Sequence, residues 1–246
     1  ADIEDRQGDI APLFHKNRLS RGVANDDDDD DEEDVGRSTT TNDDETQEWT
    51  LRKCAAASLD TLASMYGATI ILPLLLPTLQ QGLTHEDPWV REASILALGA
   101  VAEGCDEAMS EHLPMLQPYL LQQLMLPDVL PQVKSISCWT LSRYASWMVE
   151  QVETGAQPEL IQYICEITAV LMLNRSKKVQ VAACSALGVY IEHFGDFLMP
   201  FIEETLFPSF VKAMYMYHAR SFIVLCDTMG ILANNLGERI GERNLP

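Results

Sequence analysis

The sequence has little positive charge. Its 246 residues include 37 Asp and Glu but only 17 Lys and Arg, which gives a formal net charge of −20 at pH 7. A surface this acidic repels nucleic acid and anionic lipid and favours basic partners. Direct binding of nucleic acid is therefore not expected.

Long apolar runs are also missing. No window reaches the roughly 18 uninterrupted apolar residues that a membrane-spanning helix needs. The most apolar stretch, residues 68–79 (ATIILPLLLPTL), is short and contains two prolines. The first residues are acidic and polar and lack the apolar region of a signal peptide. We expect no membrane insertion and no signal peptide.

Catalytic and metal-binding motifs are absent from the sequence. The five histidines never approach one another at HxxxH spacing, and GxxxxGK[ST], GxSxG and strand-to-helix GxGxxG motifs do not occur. The six cysteines are scattered without a CxxC pair, which is typical of small core residues in a reducing compartment. The sequence therefore predicts no enzyme activity, no cofactor and no metal site.

Residues 1–48 differ in composition from the rest. They carry 17 acids and 5 Lys or Arg, against 20 and 12 in residues 49–246, and nine consecutive acids run from Asp26 to Asp34. A segment with so few large apolar groups cannot offset the entropy of ordering a core. We therefore predict a disordered acidic loop over 1–48 and a folded domain over 49–246, which is long enough to bury a sizeable core.

An internal repeat organises residues 49–246. Five helical segments can be aligned so that small and apolar residues occupy equivalent positions in each. Successive segments begin 39, 43, 46 and 42 residues apart. The position that aligns them is apolar in every segment: Leu59, Leu98, Leu141, Leu187 and Met229. A second helical run, often with proline near its start, lies between successive segments.

Two helices in every 40–47 residues is the period of HEAT and armadillo repeats. Alternating stretches and hairpin turns are missing, so strands find no support. The predicted fold is all-α, a HEAT-repeat (armadillo-type) right-handed superhelical solenoid of about four and a half stacked helix pairs.

A partner-binding face is expected on the five phased segments, because the second helix of each pair usually lines the concave side of such a solenoid. Residues at helical spacing on these segments share stripes. The candidate residues are Ala57, Asp60, Leu96, Ala100, Glu103, Ile136, Trp139, Arg143, Glu192 and Asp227. For Trp139 two interpretations remain open: core between repeats, or an exposed aromatic beside the Arg143 guanidinium, which suits peptide recognition.

Four stretches of these helices are distinctive when taken in order: WTLRKCAAASLD (49–60), LGAVAEGC (98–105), SCWTLSRYASW (137–147) and VQVAACSAL (179–187). Together they resemble the transportins, the karyopherin-beta2 import receptors of the importin-beta family. Residues 9–18 (DIAPLFHKNR), ahead of the acidic run, are similar to the long loop inside one central HEAT repeat of that family. Since the chain starts at Ala1 rather than Met, we expect a fragment of a longer protein.

The resemblance implies a nuclear import receptor that binds basic proline-tyrosine nuclear localisation signals of its cargo. Residues matching the family's contacts around the proline-tyrosine end are Ala57, Asp60, Leu96, Ile136, Trp139 and Arg143. Glu192 and Asp227 match acids that face the basic part of the signal, whereas Asn234 stands where the family has an acid. Ran GTPase (mainly through N-terminal repeats), nucleoporins, and shuttling between cytoplasm and nucleus are also implied.

Two alternatives stay open. The chain could instead be a HEAT scaffold subunit of another complex, without transport, although a plain scaffold does not need a long acidic insertion. The acidic run is either a solvated linker or part of a release loop that couples Ran-GTP binding to cargo release. In the second case the basic and apolar segment 12–21 (PLFHKNRLSR) is the part expected to occupy the cargo site.

Overall fold

The structure is a computed structural model that describes residues 51–244, except for the side chains of residues 219–220 and 242–244. The acidic loop predicted over residues 1–48 lies outside this range. The described residues contain no strand, and none of their helices is long and apolar enough to cross a membrane.

The helices follow one another with short connections. In chain order they are α1 (Leu51–Tyr66), α2 (Ala68–Leu83), α3 (Pro88–Ala100), α4 (Asp106–Met109), α5 (Leu113–Met125), α6 (Pro131–Ser142), α7 (Ala145–Glu153), α8 (Leu160–Met172), α9 (Lys177–Phe194), α10 (Met199–Phe201), α11 (Phe207–Met216) and α12 (Ala219–Asn244). A 3₁₀ turn over Gly195–Leu198 precedes α10, and a π-helical turn over Ile202–Leu206 joins α10 to α11.

These helices stack in two rows. Row 1 consists of α1, α3, α6 with its continuation α7, α9 and α12, each packed on the next. Row 2 consists of α2, α5, α8 and the α10–α11 unit, and its helices pack on the row-1 helices that follow them in the chain. This arrangement confirms the predicted all-α fold of HEAT-type helix pairs.

Row 1 holds most of the core, because its helices are covered by neighbours within the row and by row 2. In α6 every residue from Val133 to Ser142 is buried. In α2, by contrast, only one face is buried. Burial of apolar surface at about 25 cal/mol per Å² makes this stacking the main source of stability.

The junction between α3 and α6 is closely fitted. A Cβ atom on Gly99 would lie 2.4 Å from Cζ3 of Trp139, so the absence of a side chain is what allows the approach. Tyr144 is fully buried and donates its hydroxyl to the Leu98 carbonyl at 2.7 Å. Burial raises the pKa of the Tyr144 hydroxyl, which keeps it a neutral donor.

A hydroxyl-to-carbonyl hydrogen bond, here called the clamp, occurs at equivalent places in two junctions. Thr140 of α6 donates to the Ile95 carbonyl of α3 at 2.9 Å, and Thr228 of α12 donates to the Cys184 carbonyl of α9 at 3.0 Å. Each donor precedes the aligned apolar position by one residue, and each acceptor precedes it by three. The two bonds are therefore the same contact in different repeats.

The clamp is missing between α6 and α9. Ala186 occupies the donor position on α9, so no side-chain hydroxyl is available there to reach the Cys138 carbonyl of α6. The first junction of row 1 uses an ion pair instead, in which Nε of Arg52 on α1 donates to Oε2 of the buried Glu92 on α3 at 3.1 Å.

We predict that Thr140→Val lowers the free energy of unfolding by about 1 kcal/mol, because the substitution keeps the side-chain shape and removes a buried hydrogen bond. The control is Thr61→Val, since that exposed hydroxyl bonds only within its own helix, to the Ala57 carbonyl. Denaturant unfolding followed by circular dichroism measures both. Equal effects of the two substitutions would show that the clamp does not stabilise the stack.

Candidate partner-binding face

One line of polar side chains crosses row 1, and we call it the polar column. Its members lie five residues after the aligned apolar position of each repeat, and all of them are exposed. They are Ser64, Glu103, Ser146, Glu192 and Asn234. Because the repeats stack in register, equivalent positions form a continuous line along the solenoid.

Contacts across three junctions support this continuity. At the first, a Cβ atom on Gly104, next to Glu103, would lie 2.5 Å from the backbone nitrogen of Ser64. At the second, Nη2 of Arg143 lies 3.3 Å from Oε2 of Glu103. At the third, Oγ of Ser146 lies 3.2 Å from Nδ1 of His193, the neighbour of Glu192.

Arg143 is the cation beside this column. Its guanidinium carbon lies 5.9 Å from the ring centroid of Trp139, within the range of a cation–π contact, and it also pairs with Glu103. The Arg143 side chain is 23% exposed and that of Glu103 is 42% exposed. Because both remain accessible to solvent, their ion pair is weak and a ligand can compete for it.

Two buried polar atoms of the candidate residues lack a partner in the described part of the chain. Nε of Arg143 and Oδ1 of Asp60 are buried, and neither has a hydrogen-bond partner among the described residues. A buried donor or acceptor without a partner costs about 1–3 kcal/mol. A ligand could reach either atom only after the groups that cover it move.

The candidate residues differ widely in exposure. Glu103, Glu192 and Asp227 are exposed, whereas Ala57, Asp60 and Arg143 are half-buried. The remaining four belong to the core between repeats: Leu96, Ala100, Ile136 and Trp139. Their roles in binding stay predictions.

Trp139 illustrates why burial was hard to predict. Its side chain is only 5% exposed and packs on Gly99 of the neighbouring repeat. A stripe of residues at i, i+3 and i+7 does not reveal that a second helix covers it. Most of the Trp139 surface is therefore buried in the core between repeats. The Arg143 guanidinium nevertheless lies near its ring.

Sequence reasoning missed Ser146 and His193 as members of this face. Ser146 could have been found, because it takes the position of Glu103 and Glu192 in the repeat phase. His193 follows Glu192 directly and is exposed. Its contact with Ser146 depends on the connection between α6 and α7, for which the sequence carries no comparable signal.

The described residues form no metal-binding cluster, and two of their buried thiols stay protonated. Among residues 51–244 no group of three or more His, Cys, Asp and Glu side chains could hold a metal ion. Burial raises the pKa of Cys138 and that of Cys165 to about 12, which keeps both thiols protonated. These cysteines are inert core residues.

Comparisons with known proteins agree with this architecture. Residues 88–144 match the family model of the HEAT-like repeat. Two solved structures match this chain, each with a TM-score of 0.64. One is a Kap121p mutant, and the other is a Kap95p structure in which binding induces the switch loops of RanGDP to adopt the GTP-bound conformation. They are 21% and 19% identical, and the matches cover 80% and 81% of this chain and 18% and 23% of theirs. At this identity they support the fold alone.

Relatives with higher identity match almost the whole chain. Human transportin-1 is 42% identical over 241 residues, which cover 98% of this chain and 26% of the relative. Importin subunit beta-2 of Schizosaccharomyces pombe is 39% identical over 256 residues, covering 98% of the chain and 28% of that protein. The chain thus spans about a quarter of the length of these relatives. It is a homologue of the transportin and importin beta-2 proteins, built from HEAT repeats.

Proposed function

We propose that the chain is part of a nuclear import receptor, and that the polar column and its neighbours bind basic proline-tyrosine nuclear localisation signals of cargo proteins. The observation that carries the proposal is the similarity to transportin-1 over 98% of the chain. The receptor shuttles between cytoplasm and nucleus, with Ran GTPase and nucleoporins as further partners, and the chain has no enzyme activity.

The charges on row 1 suit such a ligand. Glu192 and Asp227 are exposed on successive row-1 helices, and neither is in an ion pair within the described part of the chain. Each exposed acid near a Lys or Arg of the cargo contributes about 1 kcal/mol or less in water-like dielectric. Together they raise the association rate and favour basic segments over others.

A more specific contact is proposed around Arg143. Its guanidinium belongs to a side chain that is 23% exposed and can donate to a backbone carbonyl of the peptide. Leu96, Ala100, Ile136 and Trp139 supply the packed floor beneath. An extended, disordered signal read over a long surface binds with modest affinity per area, which suits a carrier that must also release its cargo.

We predict that Trp139→Ala weakens binding of a labelled basic peptide ending in Pro-Tyr more than tenfold, because the floor under Arg143 and its cation–π contact are lost. Fluorescence polarisation measures the affinity. The matched control is Trp147→Ala, which removes an equally buried tryptophan, 5% exposed, from the same repeat. The affinities of both variants are measured below their unfolding temperatures, because replacing a buried tryptophan by alanine lowers the free energy of unfolding by about 3–5 kcal/mol. Equal loss in both variants would refute the assignment of Trp139 and favour a scaffold.

We predict that the double variant Glu192→Gln/Asp227→Asn weakens binding of the same peptide about fivefold at low salt and flattens its salt dependence. The control is Glu203→Gln/Glu204→Gln, which removes the same charge from two exposed residues of row 2. If both double variants weaken binding equally, the attraction comes from the net charge of the protein and not from row 1.

The acidic segment is proposed to act in release. Its net charge of −12 over residues 1–48 makes the Asp run a poor ligand for an acidic face, so the basic segment 12–21 is the proposed competitor for the cargo site. Tethering on the same chain gives this competitor a high effective concentration.

We predict that deletion of residues 10–45 leaves peptide binding intact, without loss of affinity, and slows Ran-GTP-driven release in the full-length receptor, because the competing segment 12–21 is lost. A pull-down with labelled cargo peptide and added Ran-GTP measures both quantities. The control replaces residues 26–34 with an uncharged segment of equal length, which should retain release because segment 12–21 is intact. Normal release after the deletion would exclude this role.

A further inference from the structure

A groove on row 2 lies between α5 and α8. Its volume is about 920 Å³, near the upper end of ordinary ligand pockets. The groove exists because the row-1 helices α6 and α9 pack along their lengths, whereas the row-2 helices α5 and α8 contact each other over only a short stretch. It belongs to the opposite row of helices from the polar column.

Exposed apolar side chains line this groove. They lie in the middle of the stack, so their exposure is not that of a terminal repeat whose neighbour is missing. Tyr163 of α8 is 45% exposed and Met125 of α5 is 50% exposed. Both helices have a neighbour on either side within row 2, since Tyr119 of α5 donates its hydroxyl to the Leu83 carbonyl of α2 and α8 contacts both α5 and α11. Leu121 and Leu160 line the same groove and are buried. The groove therefore presents apolar surface to solvent in the middle of the stack.

The polar lining consists of amides and acids. Four glutamines face the groove: Gln117, Gln122, Gln157 and Gln162. Glu159 and Glu166 line the α8 side, and the amide of Gln162 donates to Glu166 at 2.9 Å. No Lys, Arg or His is among the described lining residues. Each glutamine offers a donor and an acceptor in one plane, the pair that an extended peptide backbone also presents.

We propose that the α5–α8 groove binds an extended peptide segment in which large apolar side chains alternate with Lys or Arg. The apolar side chains pack against Leu121 and Met125 on the α5 side. The cations face Glu159 and Glu166 on the α8 side, where Tyr163 lies between the two acids and packs on the aliphatic stems of the cations, and the glutamines bond to the peptide backbone. Successive side chains of an extended peptide point to opposite sides, so one set meets α5 and the other meets α8.

The test uses the 246-residue chain and a fluorescein-labelled heptapeptide of alternating Leu and Lys, acetylated and amidated. Two further peptides carry Glu in place of Lys, or Ser in place of Leu. We expect the Leu/Lys peptide to bind at least about fivefold more tightly than either of the others, since only it satisfies both walls. Equal binding of the Leu/Glu peptide would overturn the acidic-wall assignment, and equal binding of the Ser/Lys peptide would overturn the apolar one.

Substitutions locate the site. Tyr163→Ala and Glu159→Gln/Glu166→Gln should each weaken binding of the Leu/Lys peptide about fivefold. Met115→Ala, on the same helix as Met125 and 77% exposed but outside the groove, should leave the affinity unchanged. If Tyr163→Ala unfolds, Met125→Ser at the solvent-exposed edge replaces it. Loss of affinity in Met115→Ala equal to that in the groove variants would refute the proposal.

A competition experiment separates this site from the proposed cargo face. An unlabelled peptide ending in Pro-Tyr should not displace the Leu/Lys peptide, and Glu192→Gln/Asp227→Asn should not weaken it. Displacement, or loss of affinity in that double variant, would place the Leu/Lys peptide on row 1 and overturn the groove assignment. The cargo face is tested independently by the peptide ending in Pro-Tyr.

Discussion

The close stacking of row-1 helices is the constraint on which the other features depend. It requires small residues where helices touch, and Gly99 under Trp139 is the clearest case. Once the helices are this close, Thr140 and Thr228 can reach the carbonyls of the preceding repeat. The same closeness buries every residue of α6 from Val133 to Ser142. The two rows are unequal as a result, because row 2 is less tightly stacked and keeps a groove between α5 and α8.

Much of this fold could be predicted from the sequence. The recurrence of one apolar phase, from Leu59 to Met229, is enough to identify helix pairs and their order, because stacked repeats must present equivalent residues to one another. The exposed acids Glu103 and Glu192 could also be predicted, since they share one repeat position. Burial of Leu96 and Trp139 could not, because the helical stripe of one segment contains no information about which neighbouring helix covers it. The ion pair of Arg143 with Glu103 joins residues 40 apart and depends on the same packing.

The charges of the molecule are distributed in two different ways. Nine acids are consecutive in residues 26–34, whereas the acids of row 1 are spaced by whole repeats. Acids spaced by the repeat are held apart by the stacked helices and can each meet a different residue of an extended partner. Arg143 interrupts this row of like charges and is neutralised by the acid beside it.

The missing clamp at Ala186 has a mechanical consequence. At the α3–α6 and α9–α12 junctions a sliding motion of one helix along the next would break a directional bond between buried atoms. At the α6–α9 junction the same sliding breaks no hydroxyl-to-carbonyl bond among the described residues. The hydrogen bond between Ser146 and His193 that joins α7 to α9 is exposed, and the buried contacts of the junction are largely dispersion forces, which change gradually with displacement. A junction without a buried directional bond thus lies between two junctions that have one. It separates Trp139 and Arg143 on one side from Glu192 and Asp227 on the other, so a sliding motion there would change the spacing between these two pairs of residues.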